Sequence, residues 1–129
     1  MTSPFRTWNG VAPHELHDGV RLQAIGGDQV LLCRVTYEAG KQVPLHRHEE
    51  CEQVMAIIDG SVEMTVAGQT TTLVAGDVAV VNRGLDHELH SPGGVTFFEA
   101  LGPVPLDHVP DRERDLVLGP DNGAGHVER

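Results

Sequence analysis

The sequence predicts an all-β domain, on three observations. From Val30 onward, short runs rich in β-branched residues recur, and each run is closed by Gly, Asn, Asp or Pro. No central window sustains the i, i+3, i+4, i+7 apolar spacing of an amphipathic helix. Turn signals return at intervals of about 8 to 12 residues, the spacing of a sandwich or small barrel.

The elements follow in order. Residues 1–29 are expected to form an N-terminal arm and an edge strand, with Trp8 and Val11 as their apolar contacts. A core of residues 30–101 opens with Val30 to Tyr37, which ends at Glu38-Ala39-Gly40. Gln53 to Ile58 ends at Asp59-Gly60, and Asp-Gly between apolar runs predicts a hairpin. Val62, Met64 and Val66 alternate with Glu63 and Thr65, the pattern of a half-buried strand, and Ala67-Gly68 turns the chain into Thr70 to Val74. Further turns at Gly76-Asp77, Asn82-Arg83-Gly84 and Pro92-Gly93-Gly94 bound Val78 to Val81, His87 to His90 and Val95 to Leu101. Residues 102–129 are a C-terminal extension, with one or two helical turns over 111–118 and a loose tail from 119.

The chain has 129 residues, enough for one domain, and 9 Lys+Arg against 19 Asp+Glu give a formal charge of -10. A surface this acidic repels phosphate backbones and anionic headgroups, which argues against nucleic acid and membrane as partners. No apolar run approaches the ~20 residues of a bilayer span, and the first residues lack the pattern of a secretory signal. Cys33 and Cys51 read as thiols in a reducing compartment, so a cytoplasmic location is expected.

Eight histidines occur, and their placement is what matters. His46 and His48, two apart in an extended segment, project from one face. Glu52 can join them if Glu49-Glu50 forms a turn or bulge, and Val54, Ala56 and Ile58 would then continue that face as an apolar wall. Two imidazoles and a carboxylate above an apolar floor have the composition of a metal site with open positions. Alone, His-x-His on a strand is equally a solvent-facing polar row.

The flanking glycines add a more specific signal. Gly40, five residues, His46-x-His48, three residues, Glu52, seven residues, Gly60 resembles the first motif of the cupin superfamily, G-x5-H-x-H-x3,4-E-x6-G, with one extra residue before the last glycine. Gly76, five residues, Asn82-x-Gly84, two residues, His87, three residues, Ser91 resembles the second, with Asn82 in place of the motif proline and Ser91 in place of its asparagine. The resemblance spans about Val30 to Leu101. It implies a double-stranded β-helix (jelly-roll) barrel and a ligand set of His46, His48, Glu52 and His87. It implies one divalent ion per subunit, and Fe, Mn, Ni, Zn and Cu all suit such donors.

Other side chains are sorted by strand parity. His90, three residues after His87, faces the other way. Cys51 lies on the side opposite Glu52. Arg34 and Tyr37 lie on opposite faces, so one looks inward, either as a carboxylate binder or as a proton donor; Glu50 is a candidate acid or base at the mouth. Phe97 and Phe98 also divide between faces. By resemblance, the function expected is Lewis-acid chemistry on a carbonyl or enol small molecule, of isomerase or cyclase type. The apolar wall tilts this toward an aromatic or polyketide-like substrate. A cupin dioxygenase and a non-catalytic small-molecule- or metal-binding cupin are the alternatives. Besides the small molecule, the expected partner is a second copy, because exposed sheet edges need covering and the arm with Trp8 can cross to another subunit.

Overall fold

The computed structural model describes residues 5–27 and 29–104, with the backbone of 117–118 and 125–126. Every regular element among these residues is a strand: β1 (Arg6–Thr7), β2 (His14–His17), β3 (Val20–Gly26), β4 (Leu31–Tyr37), β5 (Lys41–His46), β6 (Glu52–Val66), β7 (Gln69–Val74), β8 (Val78–Val81), β9 (His87–Ser91), β10 (Val95–Gly102), β11 (Val117–Leu118) and β12 (Gly125–His126). The expected helical turns and loose tail fall mostly outside the described residues. Within them, 117–118 pair with β3 as a strand.

The strands run in the order β11-β3-β4-β10-β6-β9-β5, with β2 beside β3 and both β7 and β8 beside β6; β1 and β12 form a separate pair. The 15-residue β6 is the hinge of the barrel. Its first half pairs with β10 and β8, and its second half pairs with β7 and β9. One strand thus serves both walls, as strands do where a sandwich turns a corner.

The switch between walls occurs at a bulge. Phe97 pairs with Ile57 and Thr96 with Asp59, so Ile58 has no opposite residue on β10. Side-chain parity inverts there: Gln53, Met55 and Ile57 face inward before the bulge, and Val62 and Met64 after it. The hairpin expected at Asp59-Gly60 does not form, because the chain continues rather than reversing. Gly60 is nevertheless required, with φ at 76°, and a Cβ there would strike the carbonyl of Gly94. The turn at Ala67-Gly68 is a true hairpin: both residues have positive φ, and Val66 faces Gln69 across it.

With Gln53, Met55 and Ile57 inward, the expected apolar wall lies on the outside. Val54 and Ile58 are 40% and 50% exposed on the outer surface, and Ala56 shares their side of β6. The interior is filled instead by residues such as Leu22, Leu31, Met55, Ile57, Val62, Met64, Phe97 and Leu101, each nearly inaccessible. At about 0.8 kcal/mol per buried CH2, this filling holds the two walls together.

Candidate metal centre

His46 ends β5, His87 begins β9, and the two are direct cross-strand partners. His48 lies two residues beyond β5 in the connection to β6, rather than on the strand where parity alone places it. A carbonyl–amide bond fixes its backbone: the Gly84 N–H donates to the His48 carbonyl at 2.8 Å. Gly84 has φ at 77° in the turn opened by Asn82, so the two motifs are fastened to each other beside the histidines. Asn82 serves the turn as its proline counterpart would, its carbonyl accepting from Leu85 N–H at 3.3 Å. Ser91, buried, donates its hydroxyl to the Ser61 carbonyl at 2.6 Å and ties β9 to β6. On the outside, Arg47 Nε meets Asp86 Oδ1 at 2.8 Å, an ion pair between neighbours of His46, His48 and His87.

The three rings converge. Centroid separations are 4.1 Å for His46–His87, 5.1 Å for His48–His87 and 5.2 Å for His46–His48. One ligand nitrogen from each lies within 4.8 Å of the others, and no other such group of His, Cys, Asp and Glu occurs among the described residues. Two tautomers follow from the backbone. His46 Nδ1 is 2.7 Å from the Pro44 carbonyl and His87 Nδ1 is 2.9 Å from the Leu85 carbonyl. A carbonyl only accepts, so Nδ1 carries the proton and the Nε2 lone pair is left for a ligand, the arrangement typical of metal-binding histidines.

Glu52 does not join this group. It is exposed at the start of β6 and opposite Gly102, with its side chain on the outer surface. Strand alternation is the reason: with Met55 and Ile57 inside, Gln53 is inside and Glu52 is not. Cys51 lies opposite Glu52, as alternation requires, but it is the buried member of the two; it packs in the core, and its sulfur is not among the grouped ligand atoms. Gln53 is 3% exposed, and its Oε1 is buried with no hydrogen-bond partner among the described residues. A buried amide oxygen left without a donor is costly unless something else occupies it, and a cation does so. Gln53 shares with His46 a cavity of about 20 Å³, room for roughly one water. The three imidazoles therefore fit a divalent ion, and the Gln53 amide lines the same cavity as one of them, His46.

The sequence also held this signal. Four residues between His48 and position 53 are within the motif's tolerance, and the interval from 53 to Gly60 is then six, removing the extra residue that the alignment on Glu52 requires.

The same cavity is lined by Tyr37 and Glu99. Tyr37, not Arg34, is the inward member of its pair: it is 4% exposed, whereas Arg34 lies on the outside. Burial first, and the nearby Glu99 second, push the Tyr37 hydroxyl far above its ordinary range, so it stays a phenol and a proton donor. Glu99, 3% exposed on β10 between Cys33 and Met55, was not identified from sequence, since only the register of three strands shows that it faces the cup. Glu50 is exposed in the loop after His48, and His90 is exposed, as parity places it. Phe97 is inside, while Phe98 lies outside and stacks on Trp8 of the same chain at 6.1 Å.

A barrel that gathers three histidines from two turn-closed motifs defines a class of β-barrel able to hold a metal ion. Residues 33–99 match the cupin domain, and the chain belongs to that family. Germin-like protein 1-1 of Oryza sativa subsp. japonica is 31% identical over 103 residues, covering 60% of this chain and 48% of the relative. This chain thus spans about half the length of that curated relative. Among solved structures, an RmlC-like cupin from Shewanella frigidimarina NCIMB 400 superposes with a TM-score of 0.76 at 21% identity, covering 84% of this chain and 97% of the other. KdgF from Halomonas sp. gives 0.75 at 18% identity, covering 82% and 98%. A sugar phosphate isomerase of the cupin superfamily from Silicibacter pomeroyi gives 0.69 at 16% identity, covering 79% and 77%. At these identities the likeness shows the fold alone.

Proposed function

We propose that this chain is a metal-dependent cupin enzyme of isomerase type, acting on a small molecule with a carbonyl beside an ionisable C–H or O–H group. The convergence of His46, His48 and His87 carries the reading. Gln53 Oε1 is the fourth protein donor. All four donors are neutral, so a bound divalent ion would keep its full formal charge and supply Lewis acidity toward a substrate oxygen.

The chain's own groups supply the rest. The Pro44 and Leu85 carbonyls hold the rings of His46 and His87 in one tautomer. Tyr37, kept protonated by burial, donates a hydrogen bond to a substrate oxygen in the cup. Glu99, the buried carboxylate lining the same cavity, accepts a proton from substrate carbon and returns it to the neighbouring position. The cavity takes roughly one oxygen atom, so a substrate would reach it with its carbonyl or hydroxyl oxygen while its body lies at the mouth near the partly exposed His46. With Val54, Ala56 and Ile58 outside, the preference for an aromatic or polyketide-like molecule loses its support. A cupin-fold neighbour described as a sugar phosphate isomerase supports a polar carbonyl substrate.

The test is deuterium incorporation from D2O into a panel of hydroxy-aldehydes and keto acids, followed by NMR with metal-loaded protein. Incorporation next to the carbonyl, lost in Glu99→Gln and reduced in Tyr37→Phe, is expected. Bound metal with no exchange in any substrate, or oxygen uptake at an electrode, would overturn the isomerase reading.

A further inference from the structure

A second cleft opens between the two walls beside the histidines, and the chemistry proposed for the cup leaves it unused. Its shape follows from β6. The turn between β7 and β8 is fastened to the corner of β6, where Ile57 N–H donates to the Asp77 carbonyl and Gly76 N–H donates to the Ile57 carbonyl, both at 3.0 Å. From that corner β7 follows the second half of β6 and β8 follows the first half, and among the described residues each pairs only with β6. The two strands therefore leave a wedge between them, closed at the turn and open where β6 ends. The open end lies at the metal centre: Val66 pairs with His87, and Gln53, the partner of Val81, lines the cavity of His46.

The wedge holds a cavity of about 270 Å³, against about 20 Å³ for the one beside His46. Met64 and Val66 of β6, Leu73 of β7, and Val78 and Ala79 of β8 line it, with Met64 and Leu73 buried. Gln69 and Thr71 are the direct partners of Val66 and Met64, so they share the inner side of that wall; both are exposed and form a polar rim. The Thr70 hydroxyl is already engaged with Thr65 Oγ1 at 2.8 Å. No charged side chain lines the cavity. From this we infer that, on the metal-centred reading above, the wedge holds the body of the substrate, and that this body is a short, uncharged, largely aliphatic chain attached to the carbonyl. The lining selects it. A phosphate, or a run of hydroxyls laid along Met64, Val66 and Leu73, would lose water without gaining partners, whereas methylenes gain by leaving water. Size agrees: the cavity is just under the ~300 Å³ at the lower end of ligand clefts, which suits a chain rather than a fused-ring system.

Isothermal titration of the Zn(II)-loaded, full-length protein with alkyl hydroxamates, from acetohydroxamate to hexanohydroxamate, tests this through binding, independently of turnover. Affinity should rise about fourfold with each added methylene, and the longer chains should shift the methyl NMR signals of Val66 and Leu73. Thr71→Phe, which places a ring at the rim of the wedge, should flatten the series and leave the acetohydroxamate affinity unchanged. Thr72→Phe, at the next residue, which pairs with Glu63 on the outer side of the same strand, should leave the whole series intact. Both threonines are exposed, so either variant should fold. Acetohydroxamate binding followed by a flat series would overturn the wedge assignment alone. So would a rising series without the methyl shifts, or one insensitive to Thr71→Phe. Binding of no hydroxamate would overturn the metal-centred reading as well, whereas a rising series in a protein that exchanges no deuterium would overturn the isomerase reading and support the aliphatic site.

Discussion

At the scale of single residues, the centre depends on a one-position distinction. Glu52 and Gln53 are adjacent on a strand and therefore face opposite ways, so only one can reach the histidines. If Gln53 is the fourth donor, Gln53→Glu replaces a neutral donor by an anion and should tighten divalent-metal binding about tenfold or more, while Gln53→Leu should weaken it by about 10- to 100-fold. Glu52→Gln should change nothing; competition against a coloured chelator measures all three. An effect at 52 and none at 53 would restore the carboxylate as ligand. Cys33 provides a second check on the interior. Burial, then Glu99, raises its thiol far above the ordinary range, as it does the Tyr37 hydroxyl. Both groups are raised acids, so the stability they confer is complete at neutral pH and falls as pH climbs past their ordinary values near 9.0 and 10.0. Native protein should therefore resist alkylation at Cys33 at pH 8 and lose melting temperature above about pH 9, a slope that Tyr37→Phe should flatten. The three histidines were legible because motif spacing ties them together. Glu99 was not, because no spacing within one strand reveals a contact set by strand register.

At the scale of elements, the decisive feature is the bulge that lets β6 belong to both walls. The runs and most turns were readable from Gly and β-branched residues, and Ala67-Gly68 behaves as such a pair should. Asp59-Gly60 has the same local chemistry and a different outcome. The bulge at Ile58, the pairing of Val62 with Leu73 and the approach of Gly94 override the turn signal, and none of these is local in sequence. The inward face expected for Val54, Ala56 and Ile58 fails for a separate reason: it followed from an inward Glu52, whereas Gln53, Met55 and Ile57 are the inward residues of this half of β6. Gly60→Ala combines a positive φ with a clash against the Gly94 carbonyl, so it should destabilise the fold by at least ~1–3 kcal/mol in thermal or urea melts. Gly40→Ala places its Cβ in open space and should be milder, carrying only the φ penalty. Equal effects at the two positions would remove the close approach from the explanation. Arg47→Ala breaks a half-exposed ion pair with Asp86 and should cost less than ~1 kcal/mol, which would show that the backbone bond from Gly84, not the surface charge, fixes the relation of the two motifs.

At the scale of the whole molecule, the barrel is a device for bringing one end of β5, the connection after it and the start of β9 to one point. The walls are closed by apolar packing, and beside the histidines lies the Gln53 amide oxygen, which has no hydrogen-bond partner among the described residues. A ligand that binds only the folded state stabilises it in proportion to the logarithm of its concentration over Kd, by about 2.7 kcal/mol at a hundredfold excess. Isothermal titration of chelator-treated protein with Zn(II), Mn(II) and Ni(II), paired with melting curves, therefore tests the central claim most directly. One ion should bind per chain and the melting temperature should rise with at least one of these metals, both effects abolished by His48→Ala or His87→Ala and both retained by His90→Ala. Binding that is absent, or that survives loss of His48 and His87, would contradict it.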